Sequence, residues 1–182
     1  MSGQEQILTA AFTLFLAHGY DGTSLADIVH ASGLSKGAFY HHFKSKQALF
    51  EEVIARFFPS PFATFDWSAH ERLSADGQRQ AIEALYAEII AASAAMGGDM
   101  VRYFALFFES LSRLATFRAG AHDVYSRLIA ALAAAIEVES GASGGICRAT
   151  ARRFIAEQEG ELYLWAVTGQ PPARRQPIND KG

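Results

Sequence analysis

From Gly3 to Trp165 apolar side chains return every three or four positions, and no run of β-branched residues alternates with polar ones between turn signals. That period fits helices and leaves nothing for a sheet, so the chain reads as all-α. Local punctuation divides it. Ser2 with Glu5 and Ser24 with Asp27 have the form of capping boxes, while Gly19 and Gly33 supply the left-handed residue at which a helix stops. Ser35 and Ser45 are caps for a third and a fourth helix, and Pro59 and Pro61 end the fourth. The inward stripes are Ile7, Ala11, Leu14, Phe15 and His18 in the first helix and Leu49, Phe50, Val53, Ile54 and Phe57 in the fourth.

Further along, Ser68 with Glu71 predicts a brief helix, and Ile82, Leu85, Tyr86, Ile89, Ile90, Ser93 and Met96 keep helical spacing until Gly97 and Gly98. Asp99 is a good cap for a helix running past Ala115. Met100, Phe104, Phe107, Phe108, Leu111 and Leu114 lie on one of its faces and Tyr103, Leu106 and Phe117 on another, so it is expected at the centre, covered on most sides. Val124, Leu128, Ala131, Leu132, Ala135 and Ile136 precede the glycine-rich stretch Gly141 to Gly145, and Phe154, Ile155, Leu162 and Trp165 stripe a last helix. Three divisions are expected: a helix-turn-helix domain over residues 1–50, a helical body over 51–170, and a solvated tail over 171–182.

At 182 residues, half of them hydrophobic, the chain can bury one substantial core or a small module plus a larger body. A net charge of −3 gives no overall sign of a polyanionic partner, so such a reading must rest on where the charges sit. The single Cys147 cannot form a disulfide within the chain, and the first residues lack the basic-then-apolar pattern of a leader, so a cytoplasmic setting is expected. The longest apolar run, Leu128 to Ile136, is about half of what a bilayer span requires, and no membrane partner is expected.

Between Gly33 and Ala48 stand Lys36, Lys44, Lys46, His41 and His42, with no carboxylate. Two helices joined by a tight glycine turn let the second push its first residues into a major groove while the other crosses the backbone. Helices two and three fit this plan. Hydroxyls, lysines and free N–H groups at helix starts hold phosphate oxygens, which makes Thr23, Ser35, Tyr40 and Lys46 candidates, with Ser24 counted beside them.

Gly19-Tyr20, Thr23, Asp27-Ile28, the run from Ala31 to Tyr40, His42-Phe43, Lys46 and Leu49 together resemble the signature of the tetracycline-repressor (TetR) family. The resemblance extends to about Phe57. It implies a three-helix DNA-binding domain followed by a bundle for ligand binding and dimerisation, and a homodimer on a double-stranded palindromic operator. It further implies repression that ends when a small apolar or amphipathic effector enters the body; an activator or a ligand-independent regulator of the same fold is the alternative. By the same resemblance Lys36 and Gly37 meet bases, Tyr40 and His41 meet bases or backbone, and Thr23, Ser35, His42 and Lys46 meet phosphate. Phe39 and Phe43 are core. Many relatives carry a basic N-terminal arm that supplements the grip, whereas Met1 to Ile7 holds no Lys or Arg. Three lysines per protomer on phosphate would give a log–log salt slope of about −5.

An effector cavity is expected among Phe62, Phe65, Trp67, Tyr86, Met96, Met100, Tyr103, Phe104, Phe107 and Phe108, with Arg102, Glu109 and Arg113 as its polar anchor. Small residues beside larger knobs in the last two helices suggest a four-helix dimer seam through Leu128, Ala131, Leu132, Ala135, Leu162 and Trp165. Other readings are weaker. The histidines lack Cys partners and an H-x-x-x-H spacing, so no metal is expected, nor any cofactor. Gly141-Ala142-Ser143-Gly144-Gly145 has the letters of a nucleophile elbow without the strand-to-helix turn it needs, and Glu157 with Glu161 is an ordinary surface pair, so no enzyme is expected. Cys147 is assigned to packing.

Overall fold

The computed structural model describes residues 2–58, 65–95 and 99–172, with backbone alone over 92–95. The expectations placed on Pro59, Pro61, Phe62, Met96, Gly97, Gly98, the side chain of Ser93 and most of the tail fall outside the described residues. Those residues form α1 (Gly3–His18), α2 (Leu25–Ser32), α3 (Lys36–His42), α4 (Lys46–Phe57), α5 (Trp67–His70), α6 (Ala75–Ala95), α7 (Met100–Arg113), α8 (Ala115–Ser140) and α9 (Gly144–Thr168), and contain no strand. The all-α expectation holds. No helix among them is long and apolar enough to cross a membrane.

Local chemistry explains most of the boundaries. Ser2, Ser35 and Ser45 each accept the backbone N–H three residues on, Asp99 does the same for Arg102, and Ser24 completes a two-way box with Asp27. Gly19, Gly33, Gly141 and Gly169 end α1, α2, α8 and α9 at positive φ. Two expectations need correction. The cap of α5 is Asp66, whose carboxylate accepts from Ala69 N, and Ser68 lies inside the helix. The helix after Asp99 does not run past Ala115: Leu114 adopts an extended backbone and turns its side chain into the N-terminal core, so Phe117 belongs to α8.

Two apolar clusters result. One joins Ile7, Leu8, Ala11 and Phe15 of α1, Ile28 of α2, Phe39 of α3 and Leu49, Phe50, Val53 and Ile54 of α4, and it takes in Leu106 and Leu114 from the α7 region. The other joins Ile82 and Tyr86 of α6, Met100 of α7, Leu128 and Leu132 of α8, and Cys147, Ala151, Ile155, Leu162 and Trp165 of α9. Cys147 is fully buried, in keeping with a packing role. α7 touches both clusters, but it is less enclosed than expected: Val101 and Phe108 are each 59% exposed because α1, α8 and α9 cover only part of its circumference.

Candidate nucleic-acid interface and ligand cavity

The interface begins with a rigid turn. Ser24 Oγ donates to Asp27 Oδ2 at 2.6 Å and accepts from Asp27 N at 3.1 Å, and the donors of Ser24 hold the Asp27 carboxyl below the usual carboxylate range. Gly33 takes the left-handed conformation (φ 69°) that closes the turn, and Ser35 Oγ caps α3 through Ala38 N at 3.1 Å. With Phe39 fully buried as the anchor, α3 presents Lys36, Gly37, Tyr40 and His41 on its outer side. Tyr40 is 51% exposed, and a methyl group placed on Gly37 would meet nothing nearer than Ser35 Oγ at 3.7 Å. No carboxylate pairs with Lys36 or Lys44 among the described residues. His42 is exposed as well, and its Nε2 lies beside Gly3 at the start of α1.

Two expected phosphate ligands are instead committed to the protein. Thr23 is 1% exposed, and its hydroxyl donates to Gly19 O at 2.8 Å and Leu14 O at 3.2 Å. Lys46 Nζ donates to Tyr20 O at 2.8 Å and Thr23 O at 2.9 Å and sits 4.0 Å from the centre of the Tyr20 ring. Lys46 fastens the turn between α1 and α2 to α4, and Thr23 ties the same turn back onto the end of α1. The two carbonyls that Lys46 binds meet it only in the folded module, so residue spacing carries no sign of them.

The same turn is held from the body. Tyr20 N donates to Glu109 Oε2 at 2.9 Å, Arg113 bridges Glu109 and Asp21, and the Arg113 guanidinium lies 4.5 Å from the Tyr20 ring. Arg102 reaches Ala17 O at 3.3 Å and pairs with Asp99. The trio expected to anchor an effector therefore anchors α1 to α7.

The cavity lies against the part of α7 that precedes Glu109 and Arg113. It encloses about 300 Å³ between α6, α7, α8 and α9, with Phe58 and Ala55 closing its end toward α4. Tyr86, Tyr103, Phe104 and Phe107 line it as the sequence suggested. Phe65, Trp67, Met100 and Phe108 do not: Met100 is spent in the core, Phe108 faces outward, and Phe65 and Trp67 pack around the buried His70. Phe117, Tyr125 and Glu159 are lining residues that the sequence reading missed. Tyr86 donates to Glu159 Oε1 at 2.5 Å, and Tyr125 donates to the same oxygen. Burial and the neighbouring carboxylate raise both phenols, and Tyr103 is pushed up to about 12, so all three stay neutral donors. A signal for Glu159 was available: it shares the inward stripe of Ile155 and Leu162, whereas Glu157 and Glu161 point outward.

The family model for bacterial regulatory proteins of the tetR family matches residues 7–53, the span of α1 to α4 just described. The N-terminal module belongs to the tetR family. Over 56 residues the chain is 39% identical to the HTH-type transcriptional repressor KstR2 of Mycolicibacterium smegmatis, covering 31% of this chain and 27% of that protein. The match thus spans about a quarter of that relative. The fold likeness runs further, to a transcriptional regulator of the TerR/AcrR family from Aquifex aeolicus VF5 (26% identity, TM-score 0.56, 92% of this chain and 86% of that one). NalD, the secondary repressor of the MexAB-OprM multidrug efflux pump in Pseudomonas aeruginosa, shares the fold at 22% identity and a TM-score of 0.58, over 92% of this chain and 85% of its own.

Behind the tetR module, the residues expected at a dimer seam are mostly used within the protomer. Leu128, Leu132, Leu162 and Trp165 pack in the second cluster, and Ala131 and Ala135 line a groove beside Arg72, Leu73 and Ser74. The outward face of α9 carries a different series. Ile146, Ala149, Ala156, Gly160, Tyr163 and Val167 recur at steps of three and four that are interrupted once, by the exposed Arg153 between Ala149 and Ala156, and Ile146, Tyr163 and Val167 are each more than 60% exposed.

Proposed function

We propose that the protein is a transcriptional regulator that binds a palindromic operator as a homodimer and represses until a small molecule occupies the α6–α9 cavity. One observation carries it: the outer side of α3 offers Lys36, Gly37, Tyr40 and His41 inside a stretch without any carboxylate, on a helix locked to its neighbours by caps and a buried Phe39. A basic, rigid, exposed helix complements a major groove, where lysine meets guanine edges and a hydroxyl or amide meets phosphate. Repression is favoured because KstR2, matched over the same module, is a repressor. The role is regulatory rather than catalytic, and the setting is the cytoplasm, where chromosomal DNA is reached.

Dimerisation follows from the α9 series. A seven-residue recurrence of apolar and small side chains left open to water is the pattern two antiparallel helix pairs bury between them. The link to the cavity is α7, which gives Tyr103, Phe104 and Phe107 to the wall and, within two further turns, Glu109 and Arg113 to the α1–α2 turn. A ligand that moves α7 moves the grip on the recognition module.

The test is selection of binding sites by the full-length protein from a pool of random duplexes, followed by titration at several salt concentrations. Two inverted half-sites about one helical turn apart should be enriched. Recovery of no common sequence, or affinity that does not change with salt, would refute the reading.

A further inference from the structure

We infer, building on the ligand-responsive reading above, that the effector is a lipophilic cation, an ammonium carried on an aromatic or branched alkyl group, whose charge is met by Glu159. The cavity wall is almost wholly apolar, and among the described residues no Lys, Arg or His lines it or pairs with Glu159. Glu159 is half-buried, and a carboxylate drawn partly out of water is stabilised by polar partners. Tyr86 and Tyr125 supply part of that stabilisation, but both approach Oε1, and Oε2 takes no hydrogen bond from a described residue. Glu159 thus lines the cavity with one carboxylate oxygen held by two phenols and the other free of hydrogen bonds from described residues.

The walls favour the same class. Phe58, Tyr103, Phe104, Phe107, Phe117 and Tyr125 surround the space, and the faces of aromatic rings attract a desolvated cation. An anionic effector finds the opposite: a negative group, no positive one, and two of the three phenols, Tyr86 and Tyr125, already turned toward Glu159. A neutral ligand would fit the walls but leave Oε2 unmatched. The volume of about 300 Å³ stands at the small end of ligand cavities, which limits the cation to a compact one.

Three probes of nearly equal shape separate these cases: benzyltrimethylammonium, its uncharged carbon analogue neopentylbenzene, and 3-phenylpropionate. Calorimetric titration of the full-length protein, without DNA, should show the ammonium binding at least about tenfold more tightly than either of the others, which corresponds to about 1.4 kcal/mol. Glu159→Gln should abolish that preference while leaving the affinity for neopentylbenzene within about twofold, and Glu159→Asp, which keeps the charge, should retain part of it. Equal or tighter binding of the neutral or anionic probe, a preference that survives Glu159→Gln, or no binding of any probe overturns the inference. Operator binding measured in parallel reads the proposed function separately: retained DNA binding with the wrong probe preference sinks only the ligand class, and lost DNA binding with the expected preference sinks only the regulator.

Discussion

Lys46→Met removes an ammonium while keeping a chain of similar length, and it separates two roles for that residue. As found, Lys46 gives two charge-assisted hydrogen bonds, to Tyr20 O and Thr23 O, and rests on the Tyr20 ring. Hydrogen bonds to charged groups contribute about 1.5–3 kcal/mol each, and a cation over a ring about 0.5–1 kcal/mol at a partly exposed site. Water can reach this half-exposed side chain and satisfy some of the freed carbonyl capacity, so the expected loss is about 2–4 kcal/mol. For a chain of this size that lowers Tm by on the order of 10 °C. Lys44→Met, exposed and without an ion pair, should change stability by no more than about 0.5 kcal/mol. The operator assay should invert the order. With Lys36 on base edges and Lys46 spent internally, Lys44 is the lysine left for phosphate; two per dimer contribute about −1.8 to the log–log salt slope, which Lys44→Met should remove while Lys46→Met leaves the slope nearly unchanged. Calorimetric melts and anisotropy titrations over a salt series measure both quantities. An unaltered Tm for Lys46→Met together with a slope reduced as much as by Lys44→Met would refute the internal role.

Gly37→Ala meets no clash, so Tm should hold or rise by a few degrees, while operator affinity falls about tenfold as the methyl intrudes on the groove; unchanged affinity in an anisotropy titration would remove Gly37 from the interface. Glu109→Ala takes away the acceptor of the Tyr20 amide, whose hydrogen exchange should accelerate at least about tenfold with α3 amides unaffected; equal acceleration in α3 would deny a local clamp. His70 is buried with neither ring nitrogen hydrogen-bonded, and burial holds its pKa below the ordinary 6.5. The unfolded chain protonates near 6.5 while the folded one stays neutral, so this residue's stability contribution is complete above that pH and declines as pH falls from about 6.5 toward the depressed folded value. His70→Leu should therefore flatten Tm between about pH 7 and 5, and an unchanged slope of Tm against pH would contradict it.

What could be read from the sequence was what neighbouring residues decide. The caps at Ser2, Ser24, Ser35, Ser45 and Asp99 and the stops at Gly19 and Gly33 depend on side chains meeting backbone within a turn, and each was visible as a spacing. The outward side of α3 followed from the same evidence, because Phe39 as anchor fixes where Lys36 and Tyr40 point. What escaped depends on distant segments meeting. Lys46 has the residue type of a phosphate ligand, and only the approach of the α1–α2 turn to α4 redirects it, while Thr23 is drawn inward by the carbonyls of Leu14 and Gly19 at the end of α1. The end of α7 has no Gly or Pro to announce it, since burial of Leu114 imposes the break. Glu159 was hidden by Glu157 and Glu161, two exposed carboxylates that make the whole segment look like surface.

The presence of Leu106 and Leu114 in the N-terminal core bears on how such proteins can be recombined. A chimaera that grafts residues 2–58 onto a foreign sensor leaves those two leucines behind and opens a void in the N-terminal core, at a cost of several kcal/mol. The portable unit is the reading head together with α7, a discontinuous piece of chain. On the proposed function, operator preference and the helix that joins the cavity to the α1–α2 turn are inherited as one.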